Sequence, residues 1–315
     1  MEDKKYIGID VGGSAVKTGL VDGSGKVLAK SETLIDLSCE NERVIDTAIR
    51  SVKELVEEHD IDLAGIGGIG VSAPGSIDTV KGEVAIGEGN VPNWSGTKVR
   101  EILEGEFGLP VSLANDGNCV ALAEAWIGAG CGCPNVICVV LGTGIGGGII
   151  SGGHLIEGAR GFAGEIGHFP THAGGIKCNC GCVGCYEKYA ATSALVAKSS
   201  SVDPKWSNGR ALFDDANAGD KKALEIVDAW TDEVASGIAG LVHIFNPQIV
   251  LIGGGVSAQE ELVVEPIRRK VNALLIPDFA DGLTIKRAEL GNDAGMVGAV
   301  KHLIDAQNSG RIRNM

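Results

Sequence analysis

Four cysteines lie within eight residues in the segment CNCGCVGCYE, and a histidine precedes them. The thiols are Cys178, Cys180, Cys182 and Cys185, and the imidazole belongs to His168. Zn²⁺ takes four sulfur or nitrogen ligands in a tetrahedron, and so dense a group of thiols in a reducing compartment is more typical of metal binding than of disulfides. We therefore predict a structural zinc site, for which five candidate ligands compete for four places.

Two acids, Glu165 and Glu187, flank this cluster. Carboxylates and amides bind a polyhydroxylated substrate by exchanging hydrogen bonds with its hydroxyls, and a rigid metal loop could fix their positions. A single acid is more often a solvated surface charge. The two acids are candidate substrate ligands on these grounds.

Asn115 and Asp116 stand in the segment LANDGN, where a strand pattern at Val111–Ala114 passes into a helix pattern beginning near Cys119. A carboxylate at this position can accept the proton of an attacking hydroxyl, and the neighbouring amide can orient the same alcohol. Asn and Asp are also common N-cap residues. Both roles stay open, and they can belong to different side chains.

Two glycine-rich segments, each between two strand patterns, are candidates for binding phosphate. Turn amides free of a Cβ can approach phosphate oxygens, and an acid at the strand end can position Mg²⁺ through its waters. An isolated glycine hairpin is usually only a turn, but the pairing of two favours a phosphate site. The candidates are Asp10, Gly12, Gly13, Ser14 and Lys17 in IGIDVGGSAVKTGL, and Gly142, Thr143, Gly144 and Gly146 in LGTGIGGG.

A third glycine run, in IVLIGGGVS, ends a buried strand pattern with Gly253, Gly254 and Gly255. Glycines there let a nucleotide base or ribose lie against the backbone. Close packing of a helix on the sheet would explain them equally well.

The spacing of Gly142, Gly144 and Gly147, with Glu165 downstream, also fits the dinucleotide fingerprint G-x-G-x-x-G. That fingerprint must open a helix whose N-terminus faces the pyrophosphate. The residues after Gly148 instead form a strand pattern and a Gly-Gly turn. A dinucleotide-binding fold is therefore excluded, whereas a phosphate ligand is not.

The elements that must position these residues repeat along the chain. Each half contains a glycine-turned hairpin followed by helices and a further strand, which indicates an internal duplication. The predicted elements are strands at Tyr6–Asp10, Val16–Val21, Val136–Leu141, Gly148–Ser151 and Ile249–Ile252, and a helix at residues 42–58.

The composition narrows the class of protein. The chain has 315 residues, 44% of them hydrophobic, which suits two domains with large cores. A net charge of -14 without a basic cluster argues against nucleic acid and anionic membranes as partners. Ten glycines interrupt the long uncharged stretch at residues 125–156, so a membrane span is not expected. No signal-peptide pattern opens the sequence, and we expect a cytoplasmic protein.

Nine segments of this sequence resemble, in order, those of the ROK family of sugar kinases, within the actin/hexokinase/Hsp70 superfamily. They are DVGGSAVKTGL, VSAPGSID, NVPNW, LANDGN, LGTGIGGG, GARGFAGEIGH, CNCGCVGCYE, IVLIGGGVS and GNDAGMVGA. The resemblance implies two actin-like (ribonuclease H-like) α/β domains with ATP and sugar in the cleft between them. The expected domains are residues 1–117 with a C-terminal helix at about 296–315, and residues 118–295 with the zinc loop. A homodimer or higher homo-oligomer is a further expectation.

The resemblance also implies roles for single residues. Asp116 is expected to be the base that deprotonates the sugar hydroxyl, most often the 6-hydroxyl, for attack on the γ-phosphate of MgATP. The expected sugar contacts are Asn90, Asn115, Glu165, His168 and Glu187, and the expected zinc ligands are His168, Cys178, Cys180 and Cys185. Cys182 fills a variable position of the family's motif, so an exchange of ligands between Cys180 and Cys182 stays open.

The predicted activity is ATP-dependent phosphorylation of a hexose, with glucose as the favoured substrate. N-acetylmannosamine or N-acetylglucosamine is the alternative, because one acetamido group needs only a small change in pocket shape. The alternative from another class is a sugar-sensing regulator. A repressor of this family would carry a helix-turn-helix domain before the first hairpin, where only five residues precede Tyr6 here.

Overall fold

The computed structural model describes residues 4–36, 43–87, 91 and 93–312. Asn90, one of the expected sugar contacts, lies outside the described residues. The chain forms two compact units. The first comprises the described residues up to Cys131, Leu155–Gly164 and those from Asn292 onward, and the second comprises Gly132–His154 and Glu165–Gly291. The domain division expected from the resemblance stays a prediction.

The described residues form twelve strands and ten α-helices. The strands are β1 (Lys5–Val11), β2 (Ala15–Asp22), β3 (Val27–Leu34), β4 (Ile66–Ala73), β5 (Ser76–Asp78), β6 (Glu83–Ile86), β7 (Val111–Asn115), β8 (Val136–Leu141), β9 (Ile145–Ser151), β10 (His154–Leu155), β11 (Ile249–Gly253) and β12 (Thr284–Arg287). The α-helices are α1 (Val44–Glu58), α2 (Val99–Phe107), α3 (Asp116–Trp126), α4 (Glu187–Ala190), α5 (Thr192–Val202), α6 (Gly209–Asn217), α7 (Lys221–Phe245), α8 (Glu265–Leu274), α9 (Pro277–Ala280) and α10 (Ala294–Asn308).

The first unit is built on a five-stranded sheet with the order β3-β2-β1-β4-β7. Strands β1, β2 and β3 are antiparallel, whereas β4 and β7 run parallel to β1. Every residue of β4 is buried, as expected for a parallel strand covered on both faces. The apolar stripe of α1 packs on one face through Ile45, Ala48 and Val52.

Helix α10 covers the other face of this sheet, and glycines allow its close approach. A Cβ at Gly8 in β1 or at Gly70 in β4 would overlap backbone carbonyl groups of α10. A Cβ at Gly298 in α10 would overlap the carbonyl oxygen of Cys119 in α3. The helix thus lies against β1, β4 and α3 with no room for larger side chains at these crossings.

The second unit repeats the plan of the first. Its sheet has the order β10-β9-β8-β11-β12, with β8 and β9 antiparallel and β11 and β12 parallel to β8. The long helix α7 buries Val227, Val234 and Ile238. Because the two sheets share one strand order, the predicted duplication and α/β class are confirmed. Among the described helices, none is both long enough and apolar enough to cross a bilayer.

Candidate active site

The turn between β1 and β2 exposes the first predicted phosphate-binding segment. Gly13 and Ser14 are exposed at its tip, and the Gly12 N–H closes the turn through a hydrogen bond of 2.9 Å. Lys17 lies opposite Asp10 in the antiparallel register. The five predicted residues therefore lie together at one end of the hairpin, and the glycines let an anion come close to the backbone.

Asp10 is held by groups from two other elements of the first unit. The Ser72 hydroxyl in β4 donates a hydrogen bond to Asp10 Oδ1 at 2.6 Å. Gly295, in the first turn of α10, lies so close that a Cβ there would overlap the carboxylate. Burial raises the pKa of Asp10, while the Ser72 hydrogen bond and the Lys17 charge act in the opposite direction. A fixed, buried carboxylate of this kind suits a hydrated divalent cation.

The start of α3 separates the two roles that the sequence leaves open for Asn115 and Asp116. Asn115 is the N-cap, because its Oδ1 accepts the Asn118 N–H at 3.2 Å, and its amide donates to the Gly75 carbonyl at 3.1 Å. Asp116 is exposed, and its Oδ1 accepts the N–H of Gly117 at 2.8 Å. The helix therefore begins at Asp116, three residues before the predicted start, because Asn115 caps it.

The turn between β8 and β9 in the second unit is fixed by the N-terminus of α5. Within the turn, the Gly142 N–H donates to the Gly144 carbonyl at 3.0 Å. The Ser193 hydroxyl donates to the Thr143 carbonyl at 2.6 Å, and the Thr192 N–H donates to the Gly142 carbonyl at 3.0 Å. Three of the predicted phosphate residues are thus in the turn, and the fourth, Gly146, lies in β9.

A cavity of about 610 Å³ opens beside this turn, within the second unit. Thr143 and Gly255 line it together with Asn208, Arg210 and Gln259. Apolar and polar side chains share its wall, as is common in pockets for small molecules. The cavity places the second and third glycine segments around one space.

The three glycines at the end of β11 have different surroundings. Gly254 has a φ of +90°, and a Cβ there would overlap the carbonyl oxygen of Leu141. Gly255 lines the cavity, and a Cβ on it would meet no atom within 4 Å. Gly253 ends β11, and a Cβ there would lie 3.4 Å from the Val140 side chain. Backbone packing therefore explains Gly254, while Gly255 is the glycine that a ligand can reach.

The metal candidates converge in a loop of the second unit. The ligand atoms of His168, Cys178, Cys180 and Cys185 all lie within 4.8 Å of one another. The Cys180 and Cys185 sulfurs are 3.6 Å apart, close to the separation of about 3.8 Å expected for two thiolates on one tetrahedral zinc. Cys182 is exposed and is not part of this group. The donor set fits Zn²⁺.

Glu187 lies between the cysteine cluster and the glycine turn. Its Oε1 accepts a hydrogen bond from the Cys178 thiol at 3.1 Å and is 3.8 Å from His168 Nδ1. A Cβ at Gly144 would come within 2.7 Å of Glu187 Oε2. The carbonyl of Glu165, the second predicted acid, accepts the His168 N–H at 3.1 Å. Two predicted sugar ligands are therefore adjacent to the predicted zinc ligands.

Three residues that hold this site in place are absent from the sequence-based candidates. Ser72 stands in the segment VSAPGSID, and Gly295 stands in GNDAGMVGA; both segments carry the family resemblance. Ser193 belongs to no motif, and only the structure reveals its contact with the glycine turn.

A protein-family model described as the ROK family matches residues 6–306. The chain belongs to the ROK family. A relative from Thermotoga maritima named glucokinase is 37% identical, and the match covers 95% of this chain and 97% of the relative. A solved ROK family glucokinase from Streptomyces griseus, in complex with glucose and AMPPNP, is 32% identical with a TM-score of 0.80 and covers 94% of this chain and 97% of that one. A solved ROK hexokinase from Thermus thermophilus is 31% identical with a TM-score of 0.82, covering 96% and 99%.

These similarities confirm the predicted family and the actin-like α/β fold. The role of each ROK site residue is a separate matter and stays a prediction. The same holds for the oligomeric state and the compartment.

Proposed function

We propose that this protein is a ROK sugar kinase that transfers the γ-phosphoryl group of ATP to the 6-hydroxyl of glucose. The observation that carries the proposal is the similarity, over nearly the whole of both chains, to a relative named glucokinase. The solved ROK glucokinase in complex with glucose and AMPPNP supports the same pair of substrates.

Asp116 acts as the general base in this proposal. It is exposed at the first turn of α3, so its carboxylate can reach a substrate hydroxyl. The hydrogen bond from Gly117 N–H to Oδ1 helps to orient the carboxylate that would accept the proton. The helix is capped by the side-chain oxygen of Asn115 and not by Asp116. Asn115 and Asn90 are further proposed sugar contacts.

The two glycine turns are the proposed phosphate contacts. Amides near Gly12–Ser14 and Gly142–Gly144 would bind phosphate oxygens, with Lys17 adding a positive charge. The cavity beside Thr143 and Gly255 would take the base and ribose. Asp10 would hold the waters of Mg²⁺, and the ion supplies neutralisation of the charge that develops on the transferred phosphoryl group.

The zinc loop orients the sugar-binding residues in this proposal. His168 turns Nδ1 towards Cys178, at 3.8 Å, and Nε2 is the nitrogen that would bond a sugar hydroxyl. Glu165 and Glu187 would accept hydrogen bonds from other hydroxyls. Zinc would hold His168 and three cysteines in one geometry, which rigidifies the loop. Removal of zinc from folded protein should therefore raise the sugar KM, and an unchanged KM would contradict this role.

ADP release with MgATP tests the proposal across glucose, mannose, fructose, N-acetylglucosamine and N-acetylmannosamine. We expect glucose to give the highest kcat/KM, above about 10⁴ M⁻¹s⁻¹. Asp116→Asn should lower kcat at least about 100-fold, because a general base commonly contributes that much. Glu57→Gln, which alters an exposed acid on α1, is the matched control and should leave kcat unchanged. Preference for an N-acetylhexosamine would reassign the substrate, and silence across the panel would favour a sugar-sensing regulator.

A further inference from the structure

The segment Leu155–Gly164, here called the strap, belongs to the first unit although the residues on both sides of it belong to the second. The chain leaves the second unit after His154 and returns to it at Glu165. Its first residue, Leu155, belongs to β10 in the sheet of the second unit, and three anchors further along the strap contact other parts of the first unit. Glu165, a sugar ligand in the proposed function, follows the last strap residue directly.

The first anchor of the strap is Glu157. Its Oε1 is 3.0 Å from Nε2 of His302 on α10, and its Oε2 accepts a hydrogen bond from Arg311. The Glu157 side chain is 15% exposed and that of His302 is 5% exposed. A carboxylate so far withdrawn from water must be compensated by partners, and here both of its oxygens have one.

The second anchor lies at the middle of the strap. The Thr79 N–H, just after β5, donates to the Arg160 carbonyl at 3.0 Å. The next residue, Gly161, has a φ of +94°, and a Cβ there would overlap the Thr79 side chain. The backbone of the strap therefore lies directly against Thr79 of the first unit.

The third anchor is Asn118 of α3, two residues after Asp116. Its side-chain amide donates to the Ala163 carbonyl at 3.2 Å, and the residue is 2% exposed. A Cβ at Gly164 would come within 2.5 Å of Asn118 Oδ1. This oxygen is buried with no hydrogen-bond partner among the described residues. The close approach of Gly164 fixes the end of the strap against the helix that carries Asp116.

We propose that Glu157 and Asn118 are positioning residues for the sugar. By fixing the two ends of the strap to α10 and α3, they fix the position of the Glu165 backbone. The inference rests on the proposed function. One trans peptide separates Gly164 from Glu165, about 3.8 Å between Cα atoms, so a displaced strap end displaces the acid with it. Errors of about 1 Å in a substrate-positioning group can cost about 100-fold in rate. Glu157 and Asn118 bond groups of the first unit, whereas the β8–β9 turn belongs to the second, so we expect the ATP KM to change little.

The first experiment separates sugar binding from nucleotide binding. Glu157→Ala and Asn118→Ala should each raise the glucose KM at least about tenfold while the ATP KM stays within about twofold. His302→Leu should raise the glucose KM less than Glu157→Ala does, because Arg311 still bonds Glu157, and the double variant should be no worse than Glu157→Ala alone. His302→Gln, which keeps a donor for Glu157, should restore most of the sugar affinity.

Asp305→Asn is the matched control. It breaks the ion pair between Asp305 and Lys301, which both lie on helix α10. We expect both KM values of this variant to equal those of the wild type. A glucose KM within twofold of wild type in Glu157→Ala and Asn118→Ala would overturn the inference, as would an equal rise in both KM values. If the alanine variants do not fold, Glu157→Gln, which removes the charge but keeps the size of the side chain, provides the same test, and His302→Gln is its near-wild-type reference.

Hydrogen exchange distinguishes failure of this inference from failure of the proposed function. In Glu157→Ala, the amides of the strap and of Thr79, whose N–H bonds the strap, should exchange at least about tenfold faster than in wild type. This readout does not require catalysis. A wild-type protein without sugar kinase activity but with faster strap exchange in the variant would refute the function alone, whereas unchanged exchange would refute the anchoring.

Discussion

The substitution Glu157→Gln should lower the free energy of unfolding by an amount that depends on pH. Burial acts to raise the pKa of Glu157, but the hydrogen bonds and charges of His302 and Arg311 lower it from 4.5 to about 2. That difference corresponds to about 3 kcal/mol of stabilisation at neutral pH. Because the Arg311 side chain is 48% exposed, solvent screening reduces the expected loss to about 1–2 kcal/mol.

The sign of the pH dependence follows from the lowered pKa. A carboxyl group whose pKa is lower in the folded state stabilises the fold above pH 4.5 and loses that contribution as the pH falls towards 2. Near pH 3 less than about half of it should remain. The difference between wild type and Glu157→Gln should therefore be largest near pH 7 and shrink below pH 4.5.

Hydrogen exchange of α10 amides is the suitable assay, because the two compact units need not unfold in one step. Helix α10 carries His302 and belongs to the first unit. Exchange free energies at pH 7, 5 and 3, corrected for intrinsic rates, should give the predicted trend. A difference that stays constant from pH 7 to pH 3, or is absent at pH 7, would refute the electrostatic reasoning.

Three shorter predictions concern other contacts of the site and its frame. Gly298→Ala should destabilise the first unit by about 3 kcal/mol in urea unfolding, because its Cβ overlaps the Cys119 carbonyl; wild-type stability would disprove the close crossing. Ser193→Ala should raise the ATP KM about threefold to tenfold by removing the hydrogen bond to Thr143, with the sugar KM as the unchanged reference. Cys182→Ser should keep one zinc per chain after dialysis while Cys180→Ser loses it, and equal retention would mean that the two thiols exchange.

Sequence patterns predict the sheets of this protein better than they predict what holds the site together. Strands β1, β2, β8 and β11 lie within two residues of their predicted bounds, because apolar runs between glycine turns leave few alternatives. The contact between Glu157 and His302 joins residues 145 positions apart, and no local pattern encodes it. Strand β3 differs from that contact, because its exposure alternates along the strand as a local pattern would predict, yet it is absent from the predicted elements.

At the start of α3, two neighbouring polar residues make different contacts that the motif LANDGN does not distinguish. Local propensity ranks Asn and Asp almost equally as N-caps, so LANDGN alone cannot assign the cap. The structure assigns the cap to Asn115. Its side-chain oxygen accepts the Asn118 N–H and its side-chain nitrogen donates to the Gly75 carbonyl, so two hydrogen bonds fix this side chain at the start of the helix. The exposed acid next to it, Asp116, is the proton acceptor in the proposed function.

The three glycines of the apparent dinucleotide fingerprint have different surroundings in the structure. Gly142 makes the turn, and a Cβ on it would meet little. Gly144 leaves room for Glu187. Gly147 lies inside β9, where a Cβ would overlap the Cys138 carbonyl and the Ile166 side chain, so its smallness serves packing of the sheet. Because β9 continues to Ser151 as a strand, no helix N-terminus follows the third glycine, and in the proposed function phosphate would be bound by the turn itself.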